Sequence, residues 1–231
     1  WKNKYNAGAL TKGFSNIHEY ILCYSKGPIT NIEAPLSEED IKKYDKRDDK
    51  FPIRGGYVTQ PLATGSKDER PNLRYAIKYK GIEIWPEKQW LWSQDRVLKA
   101  IENDEIVFNE SGGSFNPRVK QYLKDENGVM RKGKPISILT GPYNQEGSKE
   151  IKELLGAGVF DFPKPSALLK YLISLSVNNS PDKGGIYLDF FAGSGSLGHA
   201  ILELNKEDNG SRQFICVQLP ERCEKESIAF K

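Results

Sequence analysis

The chain has 231 residues, 38% of them hydrophobic and 28% charged, with a formal net charge of only +3. That is enough apolar material for a globular core. No run approaches the ~20 apolar residues that cross a bilayer, and Trp1-Lys2-Asn3-Lys4 opens nothing like a signal peptide.

The net charge neither demands nor excludes nucleic acid, so local clusters must decide. Three cysteines (Cys23, Cys216, Cys223) form no CxxC pair, and His18 and His199 have no ligand spacing around them. The pattern argues for a reducing cytoplasm and against a zinc site. The absence of an initiator methionine suggests a fragment.

In chain order, the first predicted element is a buried strand over Glu19 to Lys26, β-rich and closed by Gly27-Pro28. From Ile32 to about Lys50 the SEEDIKK and DKRDDK runs read as a solvated surface. Tyr75, Ile77 and Tyr79 then alternate with Ala76, Lys78 and Lys80, and Gly81 turns the chain into Ile82 and Ile84, a hairpin with one cationic edge. Ser93 is placed to cap a short helix with Val97, Leu98 and Ile101 on one face, after which Glu105 to Phe108 returns to strand.

Between Ser114 and Pro135 six basic residues (Arg118, Lys120, Lys124, Arg131, Lys132, Lys134) stand against Asp125 and Glu126. Asn127-Gly128 suits a type I′ turn between Tyr122-Leu123 and Val129-Met130, and a cationic ribbon of that kind can lie along a phosphate backbone. Arg70, Arg74, Lys78, Lys88, Arg118 and Lys120 are the candidate DNA contacts. Trp85, Trp90 and Trp92 read mainly as core. Ser148 is placed to cap a helix carrying Ile151, Leu154 and Leu155, and the domain boundary is set there. Lys164, between Pro163 and Pro165, starts a helix bearing Leu168, Leu169, Leu172 and Ile173.

The most informative segment comes next. Gly185-Ile186-Tyr187-Leu188-Asp189 reads as a buried strand ending in an acid, Phe190 to Gly195 as a glycine turn, and Leu197, Ala200, Ile201 and Leu204 as one helix face. Gly193 and Gly195 remove Cβ atoms that would meet a bound group, and the helix start offers N–H donors without intrahelical partners. A second apolar run, Phe214 to Leu219, completes a β-α-β unit, with Asp189 at the strand end where open α/β sheets bind ligands.

Leu188 to Glu203 (LDFFAGSGSLGHAILE) with Phe214 to Glu221 (FICVQLPE) resembles the cofactor half of DNA adenine methyltransferases, most closely the Mod subunit of Type III restriction-modification systems. Phe160-Asp161-Phe162-Pro163-Lys164-Pro165 is similar to the family's second cofactor motif, placed before the glycine turn in the permuted β-class order. Arg70 to Tyr75, Trp85 to Trp90, and Asn16 to Leu22 also resemble Mod segments.

The resemblance implies an α/β fold, an incomplete permuted Rossmann-like methyltransferase with an α+β target-recognition insert. It implies residues 1–29 as the end of the catalytic half, 30–147 as the insert, and 148–231 as the half that binds S-adenosylmethionine. The cofactor set it implies is Asp161, Phe162, Lys164, Asp189, Phe190, Phe191, Gly193, Ser194, Gly195 and Ser196, with Gln218 or Glu221 on the ribose where related chains usually carry an acid.

Its partners would be double-stranded DNA and, in the full-length protein, a helicase-nuclease Res subunit and a second Mod. The departure is the Asp-Pro-Pro-Tyr type tetrapeptide, which occurs nowhere in this chain. No catalytic residue is therefore assigned, and the chain alone is expected to be inactive. The rival is a DNA-binding specificity module with a decayed cofactor turn; a nucleotide-dependent dehydrogenase is disfavoured by Gln218, which stands where such enzymes carry an acid.

Overall fold

The computed structural model describes residues 1–6, 12–65, 68–177, 183–220, 222, 225, 227 and 228. Glu221 and Cys223, and most of the turn-rich connection before Gly184, lie outside them. In chain order the elements are β1 (Ile32–Pro35), α1 (Glu38–Lys42), α2 (Phe51–Arg54), β2 (Tyr57–Pro61), β3 (Ala63–Thr64), a 3-10 turn (Pro71–Leu73), β4 (Ile77–Tyr79), β5 (Ile82–Ile84) and β6 (Gln89–Trp90). There follow α3 (Gln94–Glu102), β7 (Ile106–Ser111), β8 (Ser114–Tyr122), β9 (Lys132–Gly133), α4 (Asn144–Leu155), α5 (Ser166–Ser174), β10 (Ser176–Val177), β11 (Ile186–Asp189), α6 (Ser196–Asp208) and β12 (Gln213–Cys216). The protein is mixed α/β with small sheets, and it divides into two compact units: Trp1–Pro35 with Lys132–Lys231, and Leu36–Arg131.

The middle unit, Leu36–Arg131, is built on the antiparallel sheet β2-β8-β7, with the pairs β3-β6 and β4-β5 beside it. Leu62, Ile77, Ile84, Trp90, Val97, Ala100, Ile106 and Val119 form one buried cluster. Two polar rings are admitted because each finds a partner: the Trp90 indole N–H donates to Tyr75 O and the Tyr75 hydroxyl to Trp92 O, both at 2.8 Å. Burial pushes the Tyr75 phenol up to about 12.

The predicted hairpin is present as β4 and β5, with Lys80 and Gly81 both at positive φ in its two-residue turn. Two expectations need correction here. Leu98 is exposed, and α3 buries Val97 and Ala100 instead. The arms around Asn127-Gly128 do pair antiparallel, Lys124 opposite Met130, but the turn is not type I′: only Gly128 has positive φ, and the Asp125 carboxylate accepts from the N–H groups of Asn127 and Val129, folding a local Asx-type turn. The long hairpin of this unit is β7-β8, turning at Gly112-Gly113, a signal the sequence reading passes over.

In the other unit, β1 joins β9 and β10, α5 packs on α6, and β11 pairs with β12 in parallel register, Ile186 opposite Gln213 through Asp189 opposite Cys216. Residues 132–147 pack with the N-terminal segment: Lys2 N–H donates to Leu139 O, the Trp1 indole N–H to Pro142 O at 2.7 Å, and Asn144 N–H to Asn3 O.

Helix α4 is capped at Tyr143, five residues before the expected cap at Ser148, and Glu146 reaches back to accept the Tyr143 N–H at 2.8 Å. It buries Ile151 but leaves Leu154 and Leu155 exposed. Two predicted buried strands are corrected as well. Tyr20 to Tyr24 belong to no strand and are exposed, and on β11 Ile186 and Leu188 are 67% and 58% exposed. A parallel pair of strands has two faces to cover, and here α6 supplies cover for only part of them.

Candidate functional site

The glycine turn links β11 to α6. Its backbone is closed by bonds from Val217 N–H to Asp189 O, Ala192 N–H to Val217 O, and Gly195 N–H to Ala192 O. Gly193 (φ +53°) and Gly195 (φ +75°) are both left-handed, a conformation that costs a side-chain-bearing residue about 1–2 kcal/mol.

The two glycines differ in what surrounds them. A Cβ on Gly193 would stand 3.0 Å from the Phe160 ring, whereas one on Gly195 would meet nothing within 4 Å. Gly195 is also the N-cap of α6, so the cap offers no side chain to the helix's first N–H groups, and the first turn contains no acid. Such an end attracts an anionic group.

Of the predicted cofactor residues the structure brings a subset together. Asp189 accepts the Phe191 N–H at 3.1 Å, which orders the turn. Gln218 Oε1 accepts the Gly193 N–H at 2.8 Å, so its carbonyl end is committed to the loop and its amide N–H groups are the end left to meet a ligand. The hydroxyls of Ser194 and Ser196 lie 3.0 Å apart, and the rings of Phe190 and Phe191 stand 5.0 Å apart, both exposed. Glu221 lies outside the described residues.

Lys164 and its neighbours serve differently. The Lys164 ammonium donates to Glu19 at 2.8 Å and sits over the Trp1 ring at 5.2 Å. That bond from Lys164 holds the Glu19 carboxyl below its ordinary range. Pro163 and Pro165 are fully buried on either side, which fixes the entry into α5. Asp161 and Phe162 are exposed, Phe162 with positive φ. The aromatic that does reach the turn is Phe160, which the residue choice omits although it heads the same motif. The signal available was its spacing of two from Phe162.

The predicted DNA contacts also separate. Arg70, Arg74 and Lys88 line a cavity of about 290 Å³ together with Asp68, Glu69 and Glu87. Lys78 projects from the hairpin and pairs with Glu83 at 3.6 Å. Arg118 is tied to Thr59, bonding its hydroxyl and its carbonyl. Lys120 is only 8% exposed, its ammonium held by Asp48 at 2.8 Å and Asp104 at 2.6 Å. Burial alone would depress the Lys120 ammonium, but those two carboxylates outweigh it and raise it.

Comparison with known proteins decides the family. A family model described as DNA methylase matches residues 1–229. The chain belongs to the DNA methylase family. Among its relatives, the Type III restriction-modification enzyme StyLTI Mod subunit of Salmonella typhimurium is 34% identical over the whole of this chain and 34% of its own length. The EcoPI Mod subunit of Escherichia phage P1 is 28% identical over 94% of the chain and 37% of its own length.

The Type II methyltransferase M.KpnI of Klebsiella pneumoniae is 26% identical over 98% of the chain and 56% of its own length. The chain is therefore Mod-like, and it spans about a third of the length of these two Mod subunits. No helix among the described residues is long and apolar enough to cross a membrane.

Proposed function

We propose that this chain is part of a Mod-like DNA adenine-N6 methyltransferase, supplying the half that binds S-adenosylmethionine and the insert that recognises the target. The fold is a permuted Rossmann-like one; the insert, read as 30–147 in the sequence, has the compact unit Leu36–Arg131 as its body. The observation that carries the reading is the turn itself: a strand-to-helix connection with two left-handed glycines, open space beside Gly195, and a helix end whose cap carries no side chain.

Those features fit the group. Bound there, S-adenosylmethionine supplies a methyl on a sulfonium. The α6 N–H groups would hold its carboxylate. Lys164 would have to leave Glu19 to share that task, so the helix end takes it first. Asp189, one oxygen of which accepts the Phe191 N–H, would take the ammonium with the other, and the Gln218 amide or, alternatively, Glu221 would take the ribose. Ser194 and Ser196 offer hydroxyls, and Phe160, Phe190 and Phe191 provide apolar walls, with Asp161 and Phe162 at the rim.

A base inside a duplex cannot reach such a site, so the target adenine is flipped out. The Asp-Pro-Pro-Tyr type element that would receive it is not in this sequence, and the 231 residues alone are not expected to methylate. The uncovered apolar faces of β11 and β12 support the same reading: covering Ile186, Leu188 and Ile215 would contribute about 1.5–3 kcal/mol each, which suits helices packed on the faces of a larger parallel sheet. In the complete protein a second Mod, a Res subunit and double-stranded DNA in the cytoplasm are the partners this implies.

Calorimetric titration of the chain with S-adenosylmethionine tests the reading. Saturable heat that Gly195→Val abolishes is the expected result. Absence of heat from a folded chain that still binds DNA would instead make it a specificity module with a decayed cofactor turn.

A further inference from the structure

A second cavity of the middle unit, about 270 Å³, is lined by four cations (Arg54, Arg96, Lys120, Arg131) and one carboxylate, Glu105. Two of the cations are already spent. Arg54 pairs with Glu105 at 2.8 Å, and Lys120 is held by Asp48 and Asp104. Arg96 and Arg131 make no ion pair among the described residues, so their two charges are uncompensated at the cavity wall.

Both arginines are positioned in advance. The Arg96 guanidinium lies 3.9 Å from the centre of the half-buried Trp92 ring, which covers one of its faces and leaves its in-plane N–H fork available. Arg131 is anchored by Nε donating to Tyr122 O at 2.9 Å, so its terminal nitrogens are the part that can turn to a ligand. Deeper in the same wall, Arg54 Nε is buried with no acceptor. Forked donors, surplus positive charge and a buried donor without acceptor suit a tetrahedral oxyanion, which takes two guanidinium groups at once.

We infer that this cavity grips one backbone phosphate of DNA between Arg96 and Arg131, with Trp92 as the wall that aims Arg96. The inference rests on the DNA-binding reading of the middle unit and deepens it: Arg96 was not singled out in the sequence and Arg131 only as one cation of the basic run, and they replace Arg118 and Lys120, which the fold uses internally.

The experiment is fluorescence anisotropy of labelled duplexes of several unrelated sequences, titrated with the 231-residue chain over a range of salt. Arg96→Ala and Arg131→Ala should each weaken binding roughly fivefold near ~0.1 M salt. Each should also lower the salt slope by about 1, equally on every sequence, with thermal unfolding unchanged. Unchanged affinity and slope in both variants overturn the pocket while leaving DNA binding intact. A loss confined to some sequences assigns the arginines to base edges and also overturns it. A folded chain that binds no duplex overturns both the pocket and the reading it rests on.

Discussion

The middle unit and the glycine-turn unit solve the same problem differently. Around Trp90 the chain closes on itself: Leu62, Val97 and Trp90 are almost wholly buried, and the Trp90 indole N–H and the Tyr75 hydroxyl each have a partner. Around Gly193 the equally apolar strands β11 and β12 stay open, with Leu188, Ile215 and Phe191 facing outward. Antiparallel sheets closed by short hairpins complete their pairing locally, whereas a parallel pair needs neighbours brought from elsewhere. The unit richest in family motifs is thus the one least finished by its own residues.

The largest effect that would break this contrast is in the closed unit. Trp90→Ala should cost about 3–5 kcal/mol in denaturant unfolding, since it empties the centre of the buried cluster. A loss below 1 kcal/mol would mean the middle unit is no better packed than the turn.

Next comes the polar knot on the same sheet. Lys120→Ala should cost about 1.5–3 kcal/mol, because Asp48, which also accepts the Tyr122 hydroxyl at 2.6 Å, loses its cation. Burial tends to push the Asp48 carboxyl up, yet the bonds from Lys120 and Tyr122 win and hold it below its usual range. A carboxyl lowered on folding contributes stability above about pH 4 that disappears as pH falls through its folded value. Acid titration should therefore destabilise wild type more steeply below about pH 4 than Lys120→Ala, read by equilibrium unfolding at each pH.

Smaller is the strain in the turn. Gly195→Ala, at φ +75° with open space around its Cβ, should cost about 1–2 kcal/mol from backbone conformation alone. The smallest effect is the sharpest on the contrast. Ile186→Ser and Leu188→Thr should change the stability of this chain by no more than about 0.5 kcal/mol. A cost of several kcal/mol would show that the strand is covered after all.

Local chemistry was legible residue by residue. The β4-β5 hairpin followed from alternation and Gly81, α6 from the spacing of Ala200 and Ile201, the left-handed turn from Gly193 and Gly195, and the DNA methylase family from LDFFAGSGSLGHAILE. These depend on the backbone freedom of a few residues and on periodicity, which operate within a turn or two of chain.

What only the tertiary structure decided was how distant residues were spent. Lys120 and Arg118 look like any exposed cation until Asp48 and Thr59 are brought against them, while Arg96 and Arg131 become a pair only because α3 and the chain after β8 meet at one cavity. Ile186 and Leu188 look like core until it is known what packs on the faces of their strand. Burial and ion pairing are properties of what surrounds a side chain, and most of that surrounding comes from residues far away in sequence.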